Sequence, residues 1–228
     1  MLGTLQPASA SLVFQKEIDL GATGLGNVLT VLTIQNSPSE SGCVSWNGTV
    51  DVIGGTCPGG IAAGDEKTGA GQTLTRAISE VTGLTDAGEL AIIFNANESG
   101  GNAVTLNDLV LTFYHPTTGF VVASYTFTGS QLHNGDNAKT KSSGYVYRLD
   151  YDQYTDAQNL VFDQPNFGDY RIGLAAAVSD TSASAETFFI TRETDILPVP
   201  EPATFLTVGA GLFGAAVLLR RRRNKNRS

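Results

Sequence analysis

Two cysteines, Cys43 and Cys57, are the only thiols of the 228-residue chain. They flank a glycine-rich segment that contains Trp46. In an exported protein, an even pair at this spacing is typical of a disulfide, and closing such a loop stabilises a fold by about 3 kcal/mol in the chain-entropy model. The alternative, Cys43 as a nucleophile, requires a lowered thiol pKa and a neighbouring base. The pair therefore predicts a disulfide if the protein leaves the cytoplasm.

The only two histidines, His115 and His133, lie in polar, turn-like surroundings. A Ser-His-Asp triad remains open as an alternative, but the chain has no G-x-S-x-G nucleophile elbow. A zinc site lacks thiolate ligands if both cysteines are paired. We expect both histidines to be exposed turn residues.

Side chains with amide and carboxylate oxygens are dense around residue 100. The set comprises Asn95, Asn97, Glu98, Asn102, Asn107 and Asp108. Calcium takes six to eight hard oxygen ligands, and extracellular modules bind it weakly. The spacing does not match an EF-hand loop, and Asx residues also form turns without any ion. Calcium bound by Asn95, Asn97, Glu98, Asn102 and Asp108 is therefore one hypothesis, and plain turn formation is the other.

Three carboxylates, Asp150, Asp152 and Asp156, are spaced as in a short helix. Glycoside hydrolases use a pair of carboxyl groups about 5–9 Å apart. On a helix Asp152 and Asp156 share one face, and a solvent-exposed face explains such a pattern without catalysis. A secreted hydrolase stays an alternative on this evidence.

The elements that position these residues belong to a strongly acidic body. Residues 1–219 hold 8 Lys and Arg against 22 Asp and Glu, whereas residues 220–228 hold six basic residues and no acidic one. Phosphate binding needs clustered Lys and Arg, so the body is not a nucleic-acid partner. Immediately before the basic tail, residues 203–219 carry no charge. As a helix this segment is about 25 Å long, slightly short of a hydrocarbon core of about 30 Å.

The apolar segment and the tail together predict a transmembrane helix at 203–219 and a cytoplasmic tail at 220–228. The positive-inside rule then places the acidic body outside. A buried C-terminal helix is the alternative, but four consecutive arginines follow the apolar run directly.

A proline-rich linker at 196–202 precedes the apolar segment and contains Pro200, Glu201 and Pro202. Three prolines in five positions exclude helix and central strand, so the linker is extended. A GPI signal ends in its apolar tail, and a sortase signal would need Leu-Pro-x-Thr-Gly. The order of Pro-Glu-Pro, Gly/Ala/Leu-rich span and basic cluster instead resembles the bacterial PEP-CTERM sorting signal. Its basic cluster is Arg220, Arg221, Arg222 and Arg223.

The resemblance covers about 30 residues and implies a destination. PEP-CTERM proteins are exported by Gram-negative bacteria, often ones that make extracellular polysaccharide. They are handled by exosortase, a membrane enzyme that acts near Pro-Glu-Pro. The C-terminal region is sometimes labelled an ice-binding protein C-terminal domain, a label that describes the tail and not the body.

Export also requires an N-terminal signal peptide. Residues 1–10 have no basic residue and no long apolar run, yet Ala8-Ser9-Ala10 matches an A-x-A cleavage site. We interpret residues 1–10 as the remnant of a truncated signal peptide.

Residues 11–195 are predicted to form one extracytoplasmic all-β domain, an antiparallel β-sandwich compatible with a jelly roll and carrying one or two short helices. Strand-like runs separated by Gly, Asn, Asp and Pro turns support this fold. The expected strands are Leu12–Ile18, Val28–Ile34, Val44–Ile53, Leu90–Phe94, Asp108–Tyr114, Phe120–Phe127, Tyr145–Leu149, Tyr170–Val178 and Glu186–Thr191.

Two local features of this domain are specific enough to test. Residues 115–119 predict a hairpin turn between their flanking strands. Asp150 as N-cap with Gln153 in a capping box predicts a helix from Tyr151 to about Leu160, and a shorter helical turn is expected near Thr85–Gly88.

The favoured function is a non-enzymatic structural or adhesive protein of the cell surface or extracellular matrix. Its expected partners are exosortase, the membrane and extracellular polysaccharide. The main alternative is a carbohydrate-binding module, because jelly rolls bind glycans through aromatic side chains. Its candidate aromatics are Trp46, Tyr114, Tyr125, Tyr145 and Tyr147.

Overall fold

Short β-branched and aromatic runs, interrupted by Gly, Asn and Asp turns, form twelve strands among the described residues of the computed structural model. The structure describes residues 12–19, 28–96, 102–127, 129–134, 143–182 and 184–196. The chain divides into two units, residues 1–196 and 197–228. The second unit lies wholly outside the described residues.

The strands are β1 (Val13–Asp19), β2 (Leu29–Ile34), β3 (Ser39–Trp46), β4 (Asp51–Ile53), β5 (Arg76–Ala77), β6 (Leu90–Asn95), β7 (Val104–Tyr114), β8 (Val121–Phe127), β9 (Gln131–His133), β10 (Ser143–Arg148), β11 (Arg171–Ser179) and β12 (Glu186–Arg192). One α-helix, α1 (Tyr151–Ala157), continues into a π-helical turn at Gln158–Phe162. Short 3₁₀ turns lie at Pro58–Gly60, Ile78–Glu80, Ala87–Glu89, Phe167–Asp169 and Glu193–Ile196.

The strands form two antiparallel sheets. The first sheet has the order β1-β10-β6-β12-β2, and the second has β4-β3-β11-β7-β8 with the short β5 and β9 added to β11 and β7. Chain neighbours such as β2 and β3, β6 and β7, and β11 and β12 lie in different sheets. This interleaved order is the connectivity of a jelly roll built from two Greek keys.

A continuous apolar core takes its side chains from both sheets and is sealed by aromatic rings. Phe94 of the first sheet stacks on Phe188 with ring centroids 4.8 Å apart. Phe113 of the second sheet meets Phe162 of the π-helical turn edge to face at 6.0 Å. The helical segment therefore closes the core through its aromatic residue.

Parts of the outer faces of both sheets are also buried. Leu109, Leu111 and Phe113 face the shared core, but Val110 on the opposite face of the same strand is buried as well. Val110 packs with Cys57 and other residues of the segment that follows β4. The run Asp108–Tyr114 therefore does not alternate simply between a buried and a solvent-exposed face.

The edge strand β2 is protected by the segment formed by residues 65–74. Lys67 donates its backbone N–H to the carbonyl of Thr33 at 2.9 Å, and Leu74 donates to the carbonyl of Val31 at 3.0 Å. These bonds occupy acceptors that an exposed edge would otherwise offer to another chain.

Most of the expected strands are present within one to four residues of their predicted ends, and the antiparallel all-β fold with one short α-helix is confirmed. One prediction is wrong, because Val44–Ile53 is not a single strand but the end of β3, a turn and β4. The side chain of Asn47 accepts the backbone N–H groups of Thr49 and Val50, both at 2.9 Å. This Asx turn reverses the chain, and Gly48 adopts φ +95° within it.

The predicted capping box is confirmed. Gln153 donates its backbone N–H to Asp150 Oδ1 at 2.8 Å, and the Gln153 side chain accepts the Asp150 N–H at 3.4 Å. The α-helix ends at Ala157 and not at about Leu160 as predicted. A π-helical turn begins at the next residue, Gln158. The second helical turn lies at Ala87–Glu89, next to its predicted position.

Replacing Asp150 by Ala removes the acceptor for an otherwise orphan helix N–H group. We expect Asp150→Ala to lower the free energy of unfolding by about 1 kcal/mol. Asp152→Ala, in the same first turn but without a capping bond, serves as the control and should cost less than half as much. Urea denaturation followed by circular dichroism measures both values, and equal losses would contradict the capping role.

Candidate functional site

The two cysteines meet on the outer face of the second sheet. Their Sγ atoms are 2.01 Å apart, which is disulfide distance, and both residues are buried. They pack with Ile61, Val110 and Ala175 in a small apolar cluster. The pair therefore links β3 to the segment that covers it.

A carboxylate lies beside this bridge. Glu66 accepts the backbone N–H of Cys43 at 2.8 Å and that of Gly64 at 2.9 Å. The sulfurs of Cys43 and Cys57 and a carboxylate oxygen of Glu66 lie within 4.8 Å of one another, the one such group of metal-binding side chains among the described residues. Because the sulfurs are joined to each other, they are not free thiolate ligands, and Glu66 acts here as a backbone acceptor.

A cleft of about 600 Å³ opens on the same outer face, next to the bridge. Its lining is rich in hydroxyl groups and contains no charged side chain, so we name it the hydroxyl cleft. The lining residues are Ser45, Trp46, Asn47, Thr56, Cys57, Pro58, Thr112, Tyr114, Thr118, Gly119, Val121 and Ser124.

Two turns that pack against each other form one wall of the hydroxyl cleft. Trp46 Nε1 donates to the carbonyl of Pro116 at 2.6 Å and so ties the β3–β4 turn to the β7–β8 turn. A Cβ at Gly119, which has φ +70°, would collide with the backbone of Asn47. The turns approach this closely only because a glycine lies at the contact.

The floor of the hydroxyl cleft runs across paired strands. Thr112 pairs with Gly173 on one side and with Ser124 on the other. The hydroxyl groups of Thr112 and Ser124 are 3.1 Å apart. A Cβ at Gly173 would collide with the ring of Tyr114, so this ring lies over the glycine. Burial raises the pKa of Tyr114 above its ordinary value, and its phenol stays neutral.

The aromatic residues that the sequence suggested as a glycan platform are not assembled in one place. Trp46 and Tyr114 line the hydroxyl cleft. Tyr125, Tyr145 and Tyr147 are buried in the main core. The hydroxyl group of Tyr125 donates to Asp156 at 2.9 Å, which gives that carboxylate a structural partner. Three of the five candidates are therefore not available to a glycan, because strand alternation sends their rings inward.

His133 is not an exposed turn residue, which corrects the sequence prediction. Residues 131–133 form β9, which pairs with β7, and the histidine is 2% exposed. Its Nε2 lies 2.6 Å from the hydroxyl of Tyr147, and its ring lies against Tyr145 at 3.9 Å between centroids. Burial among these rings and Phe94 lowers the pKa of His133 to about 4. His115 is partly exposed in the β7–β8 turn, and its ring meets Tyr170.

The calcium hypothesis stays a prediction. Asn95 ends β6 in the first sheet, whereas Asp108 is an exposed residue of β7 in the second sheet. Asn102 lies just before β7, and Asn97 and Glu98 lie outside the described residues. Of the three carboxylates considered for hydrolysis, Asp150 caps α1 and Asp156 binds Tyr125, while Asp152 is exposed.

A family model for the PEP-CTERM protein-sorting motif matches residues 198–223. The match places the chain in the class of exported proteins that carry a C-terminal sorting signal. The chain therefore carries the PEP-CTERM sorting motif that the sequence predicted. Comparison with curated proteins and with solved structures gives no match.

The sorting residues themselves fall in the part of the chain without a structural description. Pro200, Glu201, Pro202 and Arg220–Arg223 lie there, as do the predicted transmembrane segment at 203–219 and the signal-peptide remnant at 1–10. Among the helices of the described residues, none combines the length and apolar character that crossing a bilayer requires.

The disulfide should contribute measurably to stability. The double variant Cys43→Ser/Cys57→Ser should unfold about 6–12 °C lower than the native chain, because opening this loop costs about 3 kcal/mol. A reducing agent should lower the unfolding temperature of the native protein to that of the variant. The unfolding temperature of the variant itself should not change. Two free thiols in protein isolated from its native host would contradict the disulfide, and non-reducing mass spectrometry decides this.

The buried histidine makes stability depend on pH. The unfolded chain protonates His133 near pH 6.5, but the folded state resists protonation until about pH 4. Stability should therefore be complete above pH 6.5 and fall as the pH drops from 6.5 to 4, by about 3 kcal/mol from this residue.

His133→Phe keeps a ring in the cluster and removes the titrating group. Its free energy of unfolding, measured in urea from pH 7 to pH 4, should fall less than that of the native chain. His115→Phe, which alters the other histidine, should keep the native pH dependence. Parallel curves for His133→Phe and the native protein would contradict the prediction.

Proposed function

We propose that this protein is delivered to the cell surface or extracellular matrix, where its acidic β-domain serves a structural or adhesive role without catalysis. The C-terminal segment at 203–219 first holds the chain in the inner membrane with the body outside. Exosortase then processes it near Pro200-Glu201-Pro202. The observation that carries this proposal is the sorting motif at residues 198–223.

The charge distribution supports the proposed orientation. All 22 acidic residues precede residue 220. The tail begins with Arg220–Arg223, and its other residues are basic or uncharged polar. Basic residues beside an apolar span stay on the cytoplasmic side. The acidic body is thus expected on the opposite side.

The residues just before the matched motif belong to the packed body. Ile196 is buried against Ala91, Ile93 and Val146 on the outer face of the first sheet. Glu193 in the same 3₁₀ turn pairs with Arg148 at 2.5 Å. Ile196 is therefore part of the packed body, and the matched motif begins two residues later along the chain.

The body has features that suit an oxidising compartment outside the cytoplasm. Its two cysteines lie at disulfide distance, and disulfides persist in periplasmic and surface proteins but are rare in the cytosol. The hydrogen bonds that protect the β2 edge suit a domain that is exposed to other chains.

Processing is tested by changing the motif itself. In a host with active exosortase, Pro200→Ala/Glu201→Ala/Pro202→Ala should remain at full length in the inner membrane, while the native chain is shortened and released. Pro198→Ala, which keeps Pro-Glu-Pro, should behave as the native chain. Fractionation and mass measurement of the products report the outcome, and equal processing of the triple variant would overturn the proposed role of the motif.

The basic tail has its own test. Replacing Arg220–Arg223 by Ser should impair retention or invert the orientation, because the charge that holds the tail in the cytoplasm is reduced. Protease accessibility of a tag on the body measures the topology, and unchanged topology would count against the proposed orientation.

A further inference from the structure

We propose that the hydroxyl cleft binds a short stretch of an uncharged polysaccharide. This inference goes beyond sorting and rests on a different part of the chain, the outer face of the second sheet. The volume of the hydroxyl cleft, about 600 Å³, lies in the range of ligand sites in proteins.

The polar groups of the cleft match the groups of a sugar. Five serine and threonine side chains line it, namely those of Ser45, Thr56, Thr112, Thr118 and Ser124. A hydroxyl group both donates and accepts hydrogen bonds, and so do the hydroxyl groups of a sugar ring. On the floor, Ser124 is exposed, and its hydroxyl group lies 3.1 Å from that of the buried Thr112, which orients it.

The apolar groups of the cleft match the other chemistry of a sugar, its C–H face. Trp46, Tyr114, Val121 and Pro58 all contribute to the lining. Trp and Tyr combine an apolar ring with one polar group. A sugar ring likewise combines an apolar C–H face with hydroxyl groups around its edge, so the two are chemically matched.

The charges of the cleft and of the surrounding body favour an uncharged ligand. No lining residue carries a charge, and the acidic body repels polyanions. Arg171 lies 4.3 Å from the ring centre of Trp46, but it donates to Thr75 at 2.9 Å and pairs with Asp51 at 3.7 Å. Its charge is thus already compensated, and it does not convert the cleft into an anion site.

The cleft is held in shape before any ligand arrives. The Cys43–Cys57 pair fixes the wall that holds Thr56 and Pro58. On the opposite wall, Trp46 is bound to Pro116 and its ring is covered by Arg171. A preorganised site loses less conformational entropy on binding, which favours affinity for a ligand with few strong contacts.

The chain provides its own reporter, because Trp46 is its single tryptophan and lines the cleft. The full-length protein in detergent is titrated with cellohexaose, maltohexaose, xylohexaose and mannohexaose, and with an alginate hexamer as a charged comparison. Fluorescence of Trp46, excited at the red edge of indole absorption, and calorimetry follow the binding. We expect saturable binding of at least one neutral hexamer with a change in Trp46 emission.

Three variants test whether the glycan binds in the hydroxyl cleft. Thr112→Val/Ser124→Ala should weaken binding at least tenfold, whereas Thr126→Val, on the same strand as Ser124 but outside the lining, should bind as the native chain. Thr112→Ser keeps the hydroxyl group and should keep the affinity. This conservative variant separates lost chemistry from lost folding, and melting curves of all four proteins check the fold.

Each remaining outcome counts against the proposal. Absence of saturable binding to all four neutral hexamers, or binding of alginate alone, overturns it. Binding without a change in Trp46 emission, or equal affinity of the native chain and Thr112→Val/Ser124→Ala, places the glycan elsewhere and overturns it too. Sorting is read from cell fractions, so failure of the cleft and failure of the motif give different results.

Discussion

The pair of Cys43 and Cys57 ties a strand of the second sheet to the segment that covers that strand's outer face. The course of the chain after Cys57 depends on this tie. Glu66 accepts the N–H of Cys43, and Asp65 accepts that of Ser41 at 2.8 Å, so the segment runs back along β3. One residue later Lys67 bonds to Thr33 of the first sheet. A single covering segment thus forms the second apolar cluster, one wall of the cleft and the link between two sheets.

Local signals in the sequence predicted local structure well. The capping box of Asp150 and Gln153 and the turn at residues 115–119 involve neighbours in the chain, so composition and spacing were sufficient. Asn47-Gly48 is an equally local turn signal. It was missed because the β-branched residues on both sides suggested one continuous strand.

Features made by distant parts of the chain were not predictable in the same way. His133 has polar neighbours in sequence, and its burial results from pairing with Val104 of β7. The hydroxyl cleft combines residues from β3, β7, β8 and two loops. Only the register between strands brings Thr112 beside Ser124, and no spacing rule within one segment contains that information.

The position of β12 has a mechanical consequence. This last strand of the described fold pairs with β6 on one side and β2 on the other, and the 3₁₀ turn at Glu193–Ile196 follows it. A protein held at its C-terminus receives any external pull at this point. Because β12 is flanked on both sides, a force along it loads two ladders of hydrogen bonds together in shear. An edge strand pulled in the same direction would load only one ladder, so this topology suits a domain that resists flow or traction at its C-terminal end.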